Sequence, residues 1–167
     1  MSEQVTIDSL EFARQGKRLQ GEIAVAGLDS LQEHLHANSG TLQYTLIGKS
    51  GENGKPRLVL AVSGELILVC QRCLGPMVFP LAIESTLEPV KGGESFLPLE
   101  DEDDLIDTIP ADAAMDVRAL IEEEVVLSLP IAPVHDMEEC TAAERMRKLA
   151  PGKSNPFEVL AALKKNR

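Results

Sequence analysis

The chain has 167 residues, 44% of them hydrophobic, with a formal net charge of −11, one Tyr, four Phe and no Trp. That length suits one domain with an aliphatic core, and no apolar run approaches the roughly 20 residues needed to cross a bilayer. The start, Met1-Ser2-Glu3-Gln4-Val5, lacks the basic and apolar stretches of a signal peptide, so a soluble, cytoplasmic protein is expected.

In chain order, Ser9 to Gln15 reads as a short helix, Leu19 to Val25 as a strand, and Leu31 to His36 as a second short helix capped by Asp29 or Ser30. Three strands follow, Thr41 to Gly48, Arg57 to Ser63 and Leu66 to Val69. Ser50-Gly51-Glu52-Asn53-Gly54 between the first two is turn chemistry, because Gly and Asn tolerate positive φ. Met77 to Pro89 alternates like a further strand. Residues 91–112 carry Gly92-Gly93 and the acid run Glu100-Asp101-Glu102-Asp103-Asp104, show neither period, and read as a mobile loop. Asp116 then caps a helix with Val117, Leu120, Ile121, Val125 and Ser128 on one face, ended by Pro130. Ile131 to Val134 is extended, Thr141 to Leu149 a short basic helix, and 150–154 a linker. Asn155-Pro156-Phe157-Glu158 is a helix start of cap, first-turn Pro and acid, giving a last helix over Pro156 to Lys165.

These elements predict an α+β fold: a central antiparallel β-sheet with short flanking helices, a zinc-ribbon-like knuckle and a C-terminal helical tail. Residues 1–149 form the domain, and 150–167 the linker and short helix.

All three cysteines fall into two tight pairs with one of the three histidines: Cys70-Gln71-Arg72-Cys73, then His135 and Cys140 with four residues between them. Three thiolates and an imidazole make a complete tetrahedral set for one structural zinc. The second pair has an unusual spacing, and the 61 residues separating the pairs exceed the usual gap of roughly 15–20 between zinc knuckles. Buried thiols beside a turn-capping His135 are the plain alternative. A disulfide framework fits poorly with an odd cysteine count. A thioredoxin-like pair belongs where a strand meets a helix, whereas Cys70 and Cys73 have apolar strand segments on both sides. His34 and His36, two apart, point to different faces and read as surface residues. No P-loop, GxGxxG, nucleophile elbow or apolar carboxylate pair is present, so no enzyme is expected.

Charge is segregated along the chain. Residues 1–83 hold 7 basic and 8 acidic side chains, residues 84–140 hold 2 and 17, and residues 141–167 hold 7 and 2. A solvated loop is the plain reading of the acid run; a surface that meets basic ribosomal proteins or repels RNA is the functional one. In the tail, Arg145, Arg147, Lys148, Lys153, Lys164, Lys165 and Arg167, with Phe157 as an apolar anchor, form the candidate RNA-binding or partner-binding set.

Three segments taken together, Val69 to Pro76, Ile121 to Asp136 and Asn155 to Lys164, resemble the YceD family in residues, order and spacing. The resemblance covers nearly the whole chain and implies a bacterial protein required for accumulation of 23S ribosomal RNA, acting in its synthesis, processing or stability and so in large-subunit assembly. It carries over no catalytic residue, and because relatives do not all have the cysteines, it implies that a metal here is a staple rather than a working centre. The expected function is a non-enzymatic ribosome-biogenesis factor whose partner is a 23S RNA precursor or a pre-50S protein. Two alternatives stand beside it: an acidic adaptor or chaperone for a basic ribosomal protein, and a thiol redox or metal-transfer protein using Cys70 and Cys73.

Overall fold

A computed structural model describes residues 5–51, 54–91, 106–136 and 138–142. The described chain is mostly β-sheet with two α-helices. Strand β1 (Thr6–Ile7) leads into helix α1 (Ser9–Arg14), where Asp8 accepts a hydrogen bond from the Glu11 N–H. Strand β2 (Arg18–Ala24) is followed by two 3-10 turns (Val25–Gly27 and Asp29–Leu31), strand β3 (Leu35–Ala37), β4 (Thr41–Ser50), β5 (Pro56–Val69) and β6 (Pro76–Val90). Strands β7 (Ile106–Pro110) and β8 (Met115–Asp116) precede helix α2 (Val117–Ser128).

Six strands form one sheet in the order β2-β4-β5-β6-β7, with β3 also on β5, while β1 and β8 pair separately. The main sheet is antiparallel from β2 to β6, as the alternating segments require. One face carries Leu42, Leu46, Leu58, Leu60, Leu66, Leu68 and Leu87, all fully or almost fully buried. Phe12 and Ala13 of α1 and Val117, Leu120, Ile121 and Val125 of α2 close over this face as one core cluster. Close approach sets one sequence choice: a Cβ on Gly48 would sit 2.8 Å from the Cα of Ala13.

Three expectations are corrected. No helix forms over 31–36. Val25, Leu28 and Leu31 are buried instead by consecutive 3-10 turns, and the Gln32 side-chain amide donates to the carbonyls of Val25 (3.1 Å) and Leu28 (2.8 Å). A six-residue helix is marginal in water, and pairing of Leu35 with Leu68 and of Ala37 with Ile67 draws the following residues into the sheet.

The two strands expected over 57–63 and 66–69 are one strand, β5, which changes neighbours near Gly64. It pairs with β4 as far as Ser63 and with β3 from Ile67. A Cβ at Gly64 would lie 2.7 Å from Leu42 Cδ2, so this glycine marks a close crossing rather than a turn.

Residues 106–110, assigned to a loop, form β7, which pairs parallel to β6 from Thr86↔Ile106 to Val90↔Pro110. Parallel neighbours need a crossover of about a dozen residues or more, and 15 residues separate the two strands. The acid run and the tail lie outside the described residues. So does most of the helix expected over Thr141 to Leu149, of which only Thr141 and Ala142 are described.

Candidate metal centre

The site grows from the β5–β6 connection. After Val69 the chain must reverse within six residues, and it does so around Cys70: the Cys70 N–H donates to the Gly75 carbonyl (3.0 Å) and the Leu74 N–H to the Cys70 carbonyl (2.8 Å). Leu74 takes a left-handed φ of 61°, a conformation rare outside Gly and Asn. This tight reversal turns Cys70 and Cys73 to the same side.

The second half arrives from the end of α2. Leu129 caps the helix, Pro130 prevents its continuation, and 131–132 bend rather than forming the extended segment expected there. The chain then runs along the knuckle, where the Gln71 N–H donates to the Pro133 carbonyl (2.8 Å). A turn follows, with the Asp136 carbonyl accepting from the N–H groups of Glu139 (3.2 Å) and Cys140 (3.1 Å). It folds Cys140 back onto Cys70.

The result unites the two pairs. The ligand atoms of Cys70, Cys73, His135 and Cys140 all lie within 4.8 Å of one another. Cys70 and Cys140 are buried, Cys73 is half-buried, and Ala142 and Met77 pack around them as a small cluster, with Met77 also touching the main core. None of the three cysteines is in a disulfide.

The histidine's geometry selects its ligand atom. His135 Nε2 lies 2.8 Å from the Pro76 carbonyl, and Nδ1 lies 3.4 Å from Cys73 Sγ. A carbonyl can only accept, so Nε2 carries the proton and the Nδ1 lone pair faces the thiols. A backbone carbonyl on the far ring nitrogen is the usual way a metal-binding histidine is oriented.

The electrostatics point the same way. Burial pushes the Cys70 thiol up, but backbone N–H groups of His135, Cys73 and Arg72, together with the Cys73 side chain, outweigh it and lower the pKa from 9.0 to about 6. The bond to Pro76, followed by contact with Cys140 and Cys70, raises His135 above its ordinary 6.5. Three sulfurs and one imidazole thus form a nest already adapted to concentrated charge. Tetrahedral ligands at zinc bond lengths stand about 3.6–3.8 Å apart, so the 3.4 Å contact matches one edge of such a set and the 4.8 Å limit needs only a small contraction. The residues fit a metal ion.

A family model described as "Large ribosomal RNA subunit accumulation protein YceD" matches residues 58–164. The chain belongs to the YceD family. It is also similar to the large ribosomal RNA subunit accumulation protein YceD of Haemophilus influenzae, 28% identical over 96% of this chain and 95% of that one. No solved structure matches.

The YceD match takes in all four ligands, both long strands of the knuckle and α2. Reading the sequence named the four ligands but missed the contacts that bring them together, the bonds from Gln71 to Pro133 and from His135 to Pro76. A segment with two prolines after a helix, Pro130 and Pro133, followed by His135 and Cys140, was the available signal. His34 and His36 are exposed and do not belong to the cluster, although the His34 carbonyl accepts from the N–H of Val69 (3.4 Å), the neighbour of Cys70. The candidate RNA or partner residues Arg145, Arg147, Lys148, Lys153, Phe157, Lys164, Lys165 and Arg167 lie outside the described residues. Among the described residues no helix is long and apolar enough to cross a membrane.

Proposed function

We propose that this chain is a non-enzymatic ribosome-biogenesis factor, cytoplasmic, acting in the synthesis, processing or stability of 23S ribosomal RNA, with one structural zinc on Cys70, Cys73, His135 and Cys140. Family membership over residues 58–164 carries the reading, supported by the full-length similarity to a protein named for large ribosomal RNA accumulation. The metal belongs to the architecture in this account. Four protein donors close a tetrahedral site, leaving no position for water or substrate, and the ion joins the β5–β6 knuckle to the segment after α2. The basic tail is the RNA-binding or pre-50S-binding element.

Cells lacking the protein should hold less 23S relative to 16S RNA and fewer 50S particles. A normal ratio and a normal gradient profile, at low and high growth temperature, would overturn the reading.

A further inference from the structure

Among the described residues four of the five exposed large hydrophobic side chains gather at the metal cluster, the fifth being Leu127 on α2. Leu74 (70% exposed), Val78 (63%), Val134 (43%) and Ile131, which is fully exposed, each lie within two residues of a contact joining the two halves of the site. Val78 stands opposite Ile67 on the outer face of the sheet, where Ile67 is only half-buried, so the apolar strip continues onto that face. Apolar surface gathered in one place, rather than scattered, is what interaction sites expose.

The surrounding charge identifies what fits. Asp136, Glu138 and Glu139 are exposed in the turn leading to Cys140, and Glu65 is exposed opposite Pro80 on the outer face. Across residues 70–80 and 131–142 the only Lys or Arg is Arg72. The basic residues of the sheet and its hairpin, Arg18 of β2 opposite Ile47, Lys49, Lys55 and Arg57, lie toward the β4–β5 hairpin, about 40 Å along β5 from the knuckle at strand rise and several Debye lengths away. Phosphate is repelled from such a surface, whereas a cationic chain with apolar side chains is attracted and can bury them.

We infer that the surface formed by Leu74, Val78, Ile131 and Val134, rimmed by Asp136, Glu138 and Glu139, docks a Lys/Arg-rich polypeptide segment carrying apolar anchors. The inference rests on the large-subunit assembly reading and gives that factor a basic protein partner at the metal end. The hydrogen bonds from Gln71 to Pro133 and from His135 to Pro76 hold this surface already formed, which lowers the ordering cost of binding.

The test uses full-length protein purified with zinc and a synthetic amphipathic Leu/Lys peptide as probe, with a single-stranded RNA of mixed sequence as the competing ligand. The peptide should bind the wild type. Val78→Asp with Ile131→Asp should weaken it by about tenfold or more, the loss expected when two large apolar contacts go; Glu138→Lys with Glu139→Lys should weaken it several-fold. Metal content, measured alongside, should stay unchanged in both variants, whose substituted positions are exposed and are not ligands.

Equal binding by the Val78/Ile131 variant would reduce the contact to bulk charge and overturn the proposal. So would displacement of the peptide by RNA, self-association that depends on Val78 and Ile131, or tighter peptide binding after Phe157→Asp with Leu160→Asp, which would make the chain's own tail the occupant. The 23S deficit is read in cells without this protein, so either result can fail while the other stands.

Discussion

His135 joins the two halves of the site through one ring, donating from Nε2 to the Pro76 carbonyl and turning Nδ1 toward Cys73. If metal binding supplies folding energy, as ligand sets of this kind do, removal of one thiolate should be felt throughout the fold. Cys70→Ser should lose the roughly one equivalent of zinc expected for wild type and lower stability on the order of 3 kcal/mol, about 10 °C in Tm for a chain of this size. Protein purified without chelator, assayed for zinc and by thermal melt, decides it. A wild type free of metal, with all thiols titratable and the same melt as the variant, would sink the zinc assignment. Acid should act in the same direction. The Cys70 value is depressed, so its contribution is complete above the ordinary thiol value of 9.0 and is lost as pH falls through about 6. The raised His135 value lets a proton compete for Nδ1, and zinc release on acidification should follow both protonations.

At the level of elements, legibility tracked how local the deciding interactions are. Helix α2 could be read because its cap and its stripe are sequence-local: Asp116 accepts from Arg118 N (2.9 Å) and Ala119 N (3.4 Å), and Val117, Leu120, Ile121 and Val125 are buried. Asp116→Ala should therefore cost about 1 kcal/mol in chemical denaturation, with an unchanged slope; a neutral effect would show that β8 pairing alone fixes the helix start. The segment at 31–37 could not be read, since Gln32 reaches back to two carbonyls and Leu35 finds its partner at Leu68, far along the chain. Strand β7 was hidden for the same reason, its parallel partner being set by a crossover rather than a turn. β5 was split between Ser63 and Leu66 because sequence does not show Leu42, the neighbour against which Gly64 must pack closely. The metal site divides likewise: ligand chemistry is counted from composition, but closure of a 61-residue gap depends on where α2 ends and on a bond from Gln71 to Pro133.

Along the whole chain, charge is segregated into an acidic and a basic segment that suit different partners. Residues 84–140 carry 17 acidic and 2 basic side chains, and residues 141–167 carry 7 basic and 2 acidic. A chain of net charge −11 opposes RNA at long range, so an RNA contact needs a local concentration of cations, and residues 141–167 hold the largest excess of them along the sequence. Phosphate contacts release counterions and make affinity fall with salt, each contact changing the logarithmic slope by roughly one unit. Charge reversal at Lys153, Lys164, Lys165 and Arg167 should therefore weaken binding of a 23S RNA fragment at low salt and flatten its salt dependence by up to about four units. The substitutions lie well beyond Cys140, so metal content and melting temperature should stay at wild-type values, separating a lost contact from a lost fold. An unchanged slope in the reversed variant would remove RNA from the tail and leave the acidic, apolar surface at the metal end as the molecule's working face.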